Sequence, residues 1–255
     1  MVEVCSLSIT KGVIIMNIIP LPIATESPID MGFMTYLMGH GTEITLGVYS
    51  WLIKGADKNI LIDTGCSGER IRSTGFPGID GQTQEEALGK LGLSVDDIDI
   101  LILTHLHTDH AADIAKYKNA TVFVQKDELE YAKNPHPTQT GWFIIPPEET
   151  KLEIVDGDKE IAPGVKIIKS PGHTPGTQSV LVETEKGKVC ISGLCSIQEN
   201  YNPPQQMKEM GVVAIAPGIH IDALQAYDSV RKIQDIADII IAPHDKKYLE
   251  MESLP

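Results

Sequence analysis

Positive charge is scarce in this sequence. Its 255 residues carry 21 Lys and Arg against 35 Asp and Glu, a formal net charge of −14. That balance excludes a partner held by its phosphate backbone, which needs clustered Lys and Arg. It also argues against docking on an anionic membrane. Cysteine is sparse, with four at positions 5, 66, 190 and 195 and no repeating interval. No disulfide framework is implied, and the thiols read as reduced, in a cytoplasm. Long apolar runs are missing too. The longest, from Val13 to Ala24, is broken by Asn17, Pro20 and Pro22 and is too short to span a bilayer. One Lys precedes it and no small-residue cleavage site follows cleanly, so no secretory signal is expected. Met16 stands just before the strand-like run 17–23. Residues 1–15 therefore read as an N-terminal extension, and 16–255 as one folded domain. Internal repeats and low-complexity tracts are absent from the sequence.

What is present suits a sizeable core, with 42% hydrophobic and 22% charged residues. Strand-like apolar runs recur at 49–53, 59–63, 98–104, 121–125, 165–170, 179–183, 188–192 and 239–242. Helical segments fall between them. Thr83 followed by Glu86 has capping-box spacing, which predicts a helix over 83–91. A second helix is expected over 127–133. The strongest covers 222–236, where Leu224, Ala226, Tyr227, Val230, Ile233 and Ile236 share one face. The Pro-rich, polar stretches 134–147 and 202–218 read as loops near a functional face.

The chemistry concentrates in Thr104-His105-Leu106-His107-Thr108-Asp109-His110, directly after a buried-strand pattern. Imidazole is a favoured ligand for zinc and similar ions. His105 and His107, two residues apart, can point the same way from a strand end. Asp109 and His110 can then supply a second position at a helix start. Chance clustering of four such residues is improbable. Two further His follow strands and sit in rigid turns: His173 in Gly172-His173-Thr174-Pro175-Gly176, and His244 in Pro243-His244-Asp245. Each alone reads as a loop histidine. Together with the 105–110 block they read as ligands on a scaffold edge. Asp63, at the end of the 59–63 run, is either a turn cap or an acceptor for a metal-bound His.

These residues together resemble the metallo-β-lactamase superfamily. The resemblance rests on Asp63-Thr64-Gly65, the 105–110 block, His173 and His244, in that order. It implies an α/β fold, a four-layer αββα sandwich with its metal site at one edge of two sheets. Within the superfamily the chain is most similar to N-acyl homoserine lactonase-like hydrolases, by 104–107, 128–137, Gln198-Glu199-Asn200 and 243–245. His105, His107 and His173 would then hold one metal, and Asp109, His110 and His244 a second. Zinc is the first expectation, and such sites also accept manganese, iron or cobalt.

One departure stands out. The family adds a bridging Asp after a late strand, and here Gly193 occupies that position. Three arrangements stay open. Cys195 supplies a thiolate, His220 reaches in, or the site works with fewer ligands or a single metal. The plainer readings are a buried apolar Cys195 and a surface His220 at a helix start.

The resemblance implies a hydrolase in which a metal-bound hydroxide attacks a lactone or ester carbonyl, with Asp109 orienting the nucleophile and carrying the proton. Phe33, Met34, Trp142, Phe143 and Tyr201 are the expected substrate contacts. The family's catalytic Tyr position holds Ser196. A glyoxalase II-type thioesterase is the competing enzyme, and the sequence shows no basic cluster for a glutathione carboxylate. A degenerate scaffold that only binds small molecules is the non-enzyme alternative. The apolar cluster Met31, Phe33, Met34, Tyr36 and Met38 is compatible with a homodimer contact.

Overall fold

The structure, a computed structural model, describes residues 16–254. The expected extension over 1–15 and Cys5 lie outside the described residues. Two sheets form the centre. The first contains β1 (Asn17–Asp30), β2 (Glu43–Lys54), β3 (Ile60–Ile62), β4 (Gly78–Asp80), β5 (Ile100–Ile102), β6 (Thr121–Gln125) and β7 (Leu152–Val155). Their spatial order is β4-β1-β2-β3-β5-β6-β7. The β1–β2–β3 part is antiparallel, and β3, β5, β6 and β7 run parallel. The second sheet contains β8 (Lys159–Ala162), β9 (Val165–Lys169), β10 (Gln178–Thr184), β11 (Gly187–Ile191) and β12 (Ile239–Ile241), in the order β12-β11-β10-β9-β8.

Side-chain alternation along these strands makes four layers. In β5, Ile100 and Ile102 face the second sheet, where Ile167, Val180, Val189 and Ile191 meet them. Leu101 points the other way, onto the helical side, as the two-residue strand period requires. The outer face of the first sheet is covered by α2 (Gln84–Gly89) and α4 (Lys126–Lys133), through Ala87, Leu88, Leu129 and Ala132. The outer face of the second sheet is covered by α7 (Ala223–Ile236), through Val230 and Ile233. This is the αββα arrangement.

The helix starts follow local chemistry. Thr83 caps α2, and its hydroxyl and the Glu86 carboxylate exchange bonds with each other's backbone N–H. Asp222 caps α7 by accepting from the N–H groups of Leu224 and Gln225. The expected loop at 202–218 carries one short helix, over Gln205–Glu209. Strand β1 is twice as long as the 17–23 run suggested, and it is bulged. Glu26 pairs with Leu46 and Ile29 with Ile44, so one extra residue intervenes on β1. Bulges of this kind turn a strand and re-aim its side chains.

Strands β3, β5, β9 and β12 all deliver their following residues to one edge of the sandwich. There the segments after Ile62, Ile102, Lys169 and Ile241 meet.

Candidate metal centre

The 105–110 segment is held from three sides. The Leu106 N–H donates to Glu128 Oε1 at 2.9 Å. Ile144 N–H donates to Leu106 O at 2.8 Å. Thr108 donates to Trp142 O from its N–H at 2.8 Å and from its hydroxyl at 2.9 Å. His107 stands at the N-cap of α3 (Thr108–Ala111). Glu128 is fully buried, and its other oxygen accepts from Thr174 Oγ1 and from Gly176 N–H, the latter at 3.1 Å. One carboxylate thus fastens both the His105–His110 segment and the His173 turn. Gly176 is required there, since a Cβ would lie 2.2 Å from Glu128 N.

Two triads result. The ligating atoms of His105, His107 and His173 lie within 4.8 Å of one another, and so do those of Asp109, His110 and His244. His173 Nε2 is 3.2 Å from His105 Nε2 and 3.1 Å from His107 Nδ1. The ring hydrogens are committed elsewhere. His173 Nδ1 donates to Ile219 O at 2.8 Å, His244 Nδ1 to Gly47 O at 3.1 Å, and His110 Nδ1 to Asp63 Oδ2 at 2.8 Å. In its neutral form each of these rings then turns a bare Nε2 lone pair inward. Such outer acceptors are what fix tautomer and aim in metal-binding histidines. His107 Nε2 and His110 Nε2 are buried without a hydrogen-bond partner. Lone pairs that converge in a buried space repel one another unless a cation lies between them. The donor set fits two divalent ions.

The electrostatics agree. In the metal-free protein burial lowers the pKa of His105 and His107 well below the ordinary value, and neighbouring imidazoles lower it further. Burial likewise pushes His173 down to about 4. Neutral imidazole is the ligating form. His110 is the exception. Burial opposes its charge, but Asp109 and Asp63 outweigh that and push it up to about 10. Asp109 is held below the carboxylate range by the charges of His110 and His244, against the effect of burial.

A sequence model of the metallo-beta-lactamase superfamily matches residues 44–193. The chain belongs to this superfamily. An N-acyl homoserine lactonase of Bacillus sp. is 31% identical over 222 residues, covering 80% of this chain and 84% of the relative. The lactonase AiiB of Agrobacterium fabrum is 28% identical over 186 residues, covering 63% and 67%. Among solved structures, an N-acyl homoserine lactone hydrolase with N-hexanoyl-L-homoserine bound at its catalytic metal centre superimposes with a TM-score of 0.70. It is 24% identical and covers 92% of this chain and 94% of that one. A dizinc lactonase, AidC, gives 0.65 at 20% identity, covering 93% and 88%. These last two likenesses establish the fold.

Within this superfamily site, the residues expected from sequence divide. Asp63 takes the place expected of a hydrogen-bond acceptor behind the ligands. It adopts a left-handed backbone conformation, φ 56°, that aims its carboxylate at His110. Phe33, Met34 and Trp142 line an apolar cavity over His107, Asp109, His173 and His244. Phe143 stacks edge-on against the His107 ring, with centroids 4.5 Å apart, and is not a cavity wall. Tyr201 is drawn away, because its hydroxyl bonds to Ser192 and Ser196 behind the sheet edge. His220 is not brought to either triad. Its Nδ1 donates to Pro217 O at 2.7 Å, and its ring lies edge-on to Tyr36. Cys195 reaches the cavity but packs among Ile29, Met34, Leu46 and Ile197, outside both triads. Burial, then Asp109 and Glu26, push its thiol well up.

Two acids were missed from the sequence. Glu128 looked like part of a helix pattern. Glu26 lines the cavity, and burial and the Asp109 charge push its carboxyl up to about 8. The surrounding Thr25-Glu26-Ser27 reads as ordinary polar strand, so the sequence carried no distinct signal for it.

Proposed function

We propose that residues 16–255 form a metal-dependent hydrolase that opens lactones or simple esters. His105, His107 and His173 hold one divalent ion and Asp109, His110 and His244 the other. Zinc is the metal we assign, on the imidazole-rich donor set. The observation that carries this reading is the pair of buried triads at the floor of an apolar cavity. A divalent ion there supplies an acidified water and a Lewis acid for a carbonyl.

The chain's own residues do the rest. Asp109 is the one carboxylate in the two triads, so it orients the nucleophile and carries the proton to the leaving oxygen. Phe33, Met34, Phe76, Trp142 and Ile219 present apolar surface above it, which takes an acyl or alkyl group and excludes water. Neither Lys nor Arg is among the described residues lining the cavity. A neutral substrate is therefore favoured over a phosphoester or a glutathione conjugate. The named relatives act on N-acyl homoserine lactones, and an acyl lactone of that kind matches these walls. Cys66, Cys190 and Cys195 are buried free thiols, in keeping with the cytoplasmic location we assign.

The test is turnover by zinc-loaded protein of N-hexanoyl-homoserine lactone, phenyl acetate and a glutathione thioester. We expect lactone or ester hydrolysis that falls at least 100-fold in His107→Ala. Unchanged turnover in that variant, or preference for the thioester, overturns the reading.

A further inference from the structure

Gly193 stands where the resemblance places a bridging carboxylate, and the fold forbids any side chain there. A Cβ at Gly193 would lie 2.0 Å from the Gln178 carbonyl oxygen and 2.9 Å from Thr104 Cβ. Both neighbours are fixed. Gln178 N–H donates to Thr104 O at 2.8 Å, which ties β10 to the start of the ligand segment. Gly193 N–H itself donates to Ser179 Oγ at 3.0 Å. Two strands close together here leave only hydrogen at position 193. An acid for the second metal beyond Asp109 would come from another element.

The opposite sheet offers one. Glu26 sits on β1 just before the bulge, half-buried, and lines the same cavity as Asp109, Cys195 and His244. Its carboxylate makes no side-chain hydrogen bond or ion pair among the described residues. It lies near enough to Asp109 and His110 for their charges to act on it. No Lys or Arg among the described residues lines the cavity to offset two facing carboxylates. Beside them, His110 Nε2 is buried and has no hydrogen-bond partner. It lies 3.1 Å from Asp109 Oδ2, at an angle that makes no hydrogen bond. Glu26 stands outside the close Asp109–His110–His244 triad but shares a cavity with Asp109 and His244, and two carboxylates beside imidazoles are the environment of a hard or borderline cation.

We propose that Glu26 is a ligand of the second metal, and that it replaces from β1 the carboxylate which Gly193 cannot carry. The inference rests on the two-metal reading above. Hydrolysis would follow the same course, with the metal's carboxylate arriving from the other sheet. Cys195 packs among apolar side chains and is not a ligand.

The experiment is metal binding, read without activity. Metal-free wild type, Glu26→Gln and Cys195→Ser are titrated with zinc by calorimetry, and bound metal per chain is counted after gel filtration. Gln keeps size and hydrogen-bonding capacity, and thermal unfolding of the metal-free forms checks that the variants fold alike. We expect two zinc ions per wild-type chain and two in Cys195→Ser. In Glu26→Gln the second site should weaken by about 100-fold, so that one ion survives filtration. The cobalt(II) form of the wild type should lack thiolate-to-metal charge-transfer absorption. Its ligand-field spectrum should change in Glu26→Gln. Two ions bound with unchanged affinity and an unchanged cobalt spectrum in Glu26→Gln would sink the Glu26 assignment and leave the two-metal site standing. One ion or none in wild type would overturn both. Metal loss in Cys195→Ser, with a thiolate band in wild type, would give the ligand role to the cysteine.

Discussion

Asp63 and His110 are joined by a 2.8 Å hydrogen bond between Oδ2 and Nδ1, in a site where both side chains are almost wholly buried. The same carboxylate accepts Thr104 N–H at 2.7 Å and Thr104 Oγ1 at 2.8 Å. One acid therefore sets the His110 tautomer and pins the chain where the ligand segment begins. Asn tolerates the left-handed backbone at this position, so Asp63→Asn removes the charge with little strain. We expect zinc affinity at the second site to fall by roughly 10–100-fold, and stability to fall by about 2–3 kcal/mol. Calorimetric zinc titration and urea unfolding of the metal-free variant read the two effects separately.

Glu128 gives a pH signature. Burial pushes its carboxyl up to about 7, against the lowering effect of its three hydrogen bonds. A carboxyl raised on folding favours the folded state fully below its unfolded pKa, and that advantage is lost as pH rises through the folded value. Metal-free wild type should therefore lose ~3 kcal/mol relative to Glu128→Gln between pH 4 and pH 8. Chemical unfolding of both proteins at several pH values measures this. A constant difference would mean that the Glu128 carboxyl titrates alike in the folded and unfolded chains. At neutral pH both Glu128→Gln and Glu128→Ala should also weaken zinc binding, since the carboxylate holds both ligand-bearing loops.

Trp142 should govern acyl-chain preference. Its backbone carbonyl anchors Thr108, and that bond survives replacement of the side chain. The indole meets Phe76 and His107 edge-on, with centroids 6.0 and 5.6 Å apart. In Trp142→Ala the KM for a decanoyl lactone should rise by about tenfold or more, and that for a butanoyl lactone by much less. The kcat should stay within about twofold for both. Steady-state kinetics over a chain-length series decides it.

Acid should strip the metal and loosen the fold together. His173 is pushed down to about 4 by burial, from an ordinary value of 6.5. A depressed histidine contributes stability above pH 6.5 and loses it as pH falls toward 4. Zinc-loaded protein should show a Tm that is flat near pH 7 and drops steeply below pH 6. Chelation at pH 7.5 should lower the Tm as well, by an amount equivalent to about 4 kcal/mol for each site held at a thousand times its Kd. Scanning calorimetry with and without EDTA provides both curves.

Much of this was legible before the structure, for identifiable reasons. The 105–110 block, His173 and His244 each follow a strand whose apolar run is unmistakable, so strand ends and candidate ligands could be placed together. Thr83–Glu86 marked one helix start through capping chemistry that is local in sequence, and the 222–236 helix showed itself through its apolar face. Contacts between elements were less accessible. Tyr201 lies three residues beyond Gln198, yet Ser192 and Ser196 claim its hydroxyl. His220 precedes a helix, and the Pro217 carbonyl holds its ring outside the site. Glu26 and Glu128 act through space on segments between 80 and more than 160 residues away for the first, and up to 48 for the second. Periodicity carries no information about such pairings. A bulge in β1 that re-aims one side chain is equally invisible to it.

The ligands are spaced unevenly along the chain, and this gives the two triads different birthdays on the ribosome. His105, His107 and His173 have all been synthesised before α7 and β12 exist. The second triad waits for His244, 71 residues after His173. A growing or prematurely ended chain can thus own every ligand of the first triad while the second lacks one. Loading of both positions then reports that His244 has reached its place beside Asp109 and His110, and loading of one marks a chain in which that late segment has not docked.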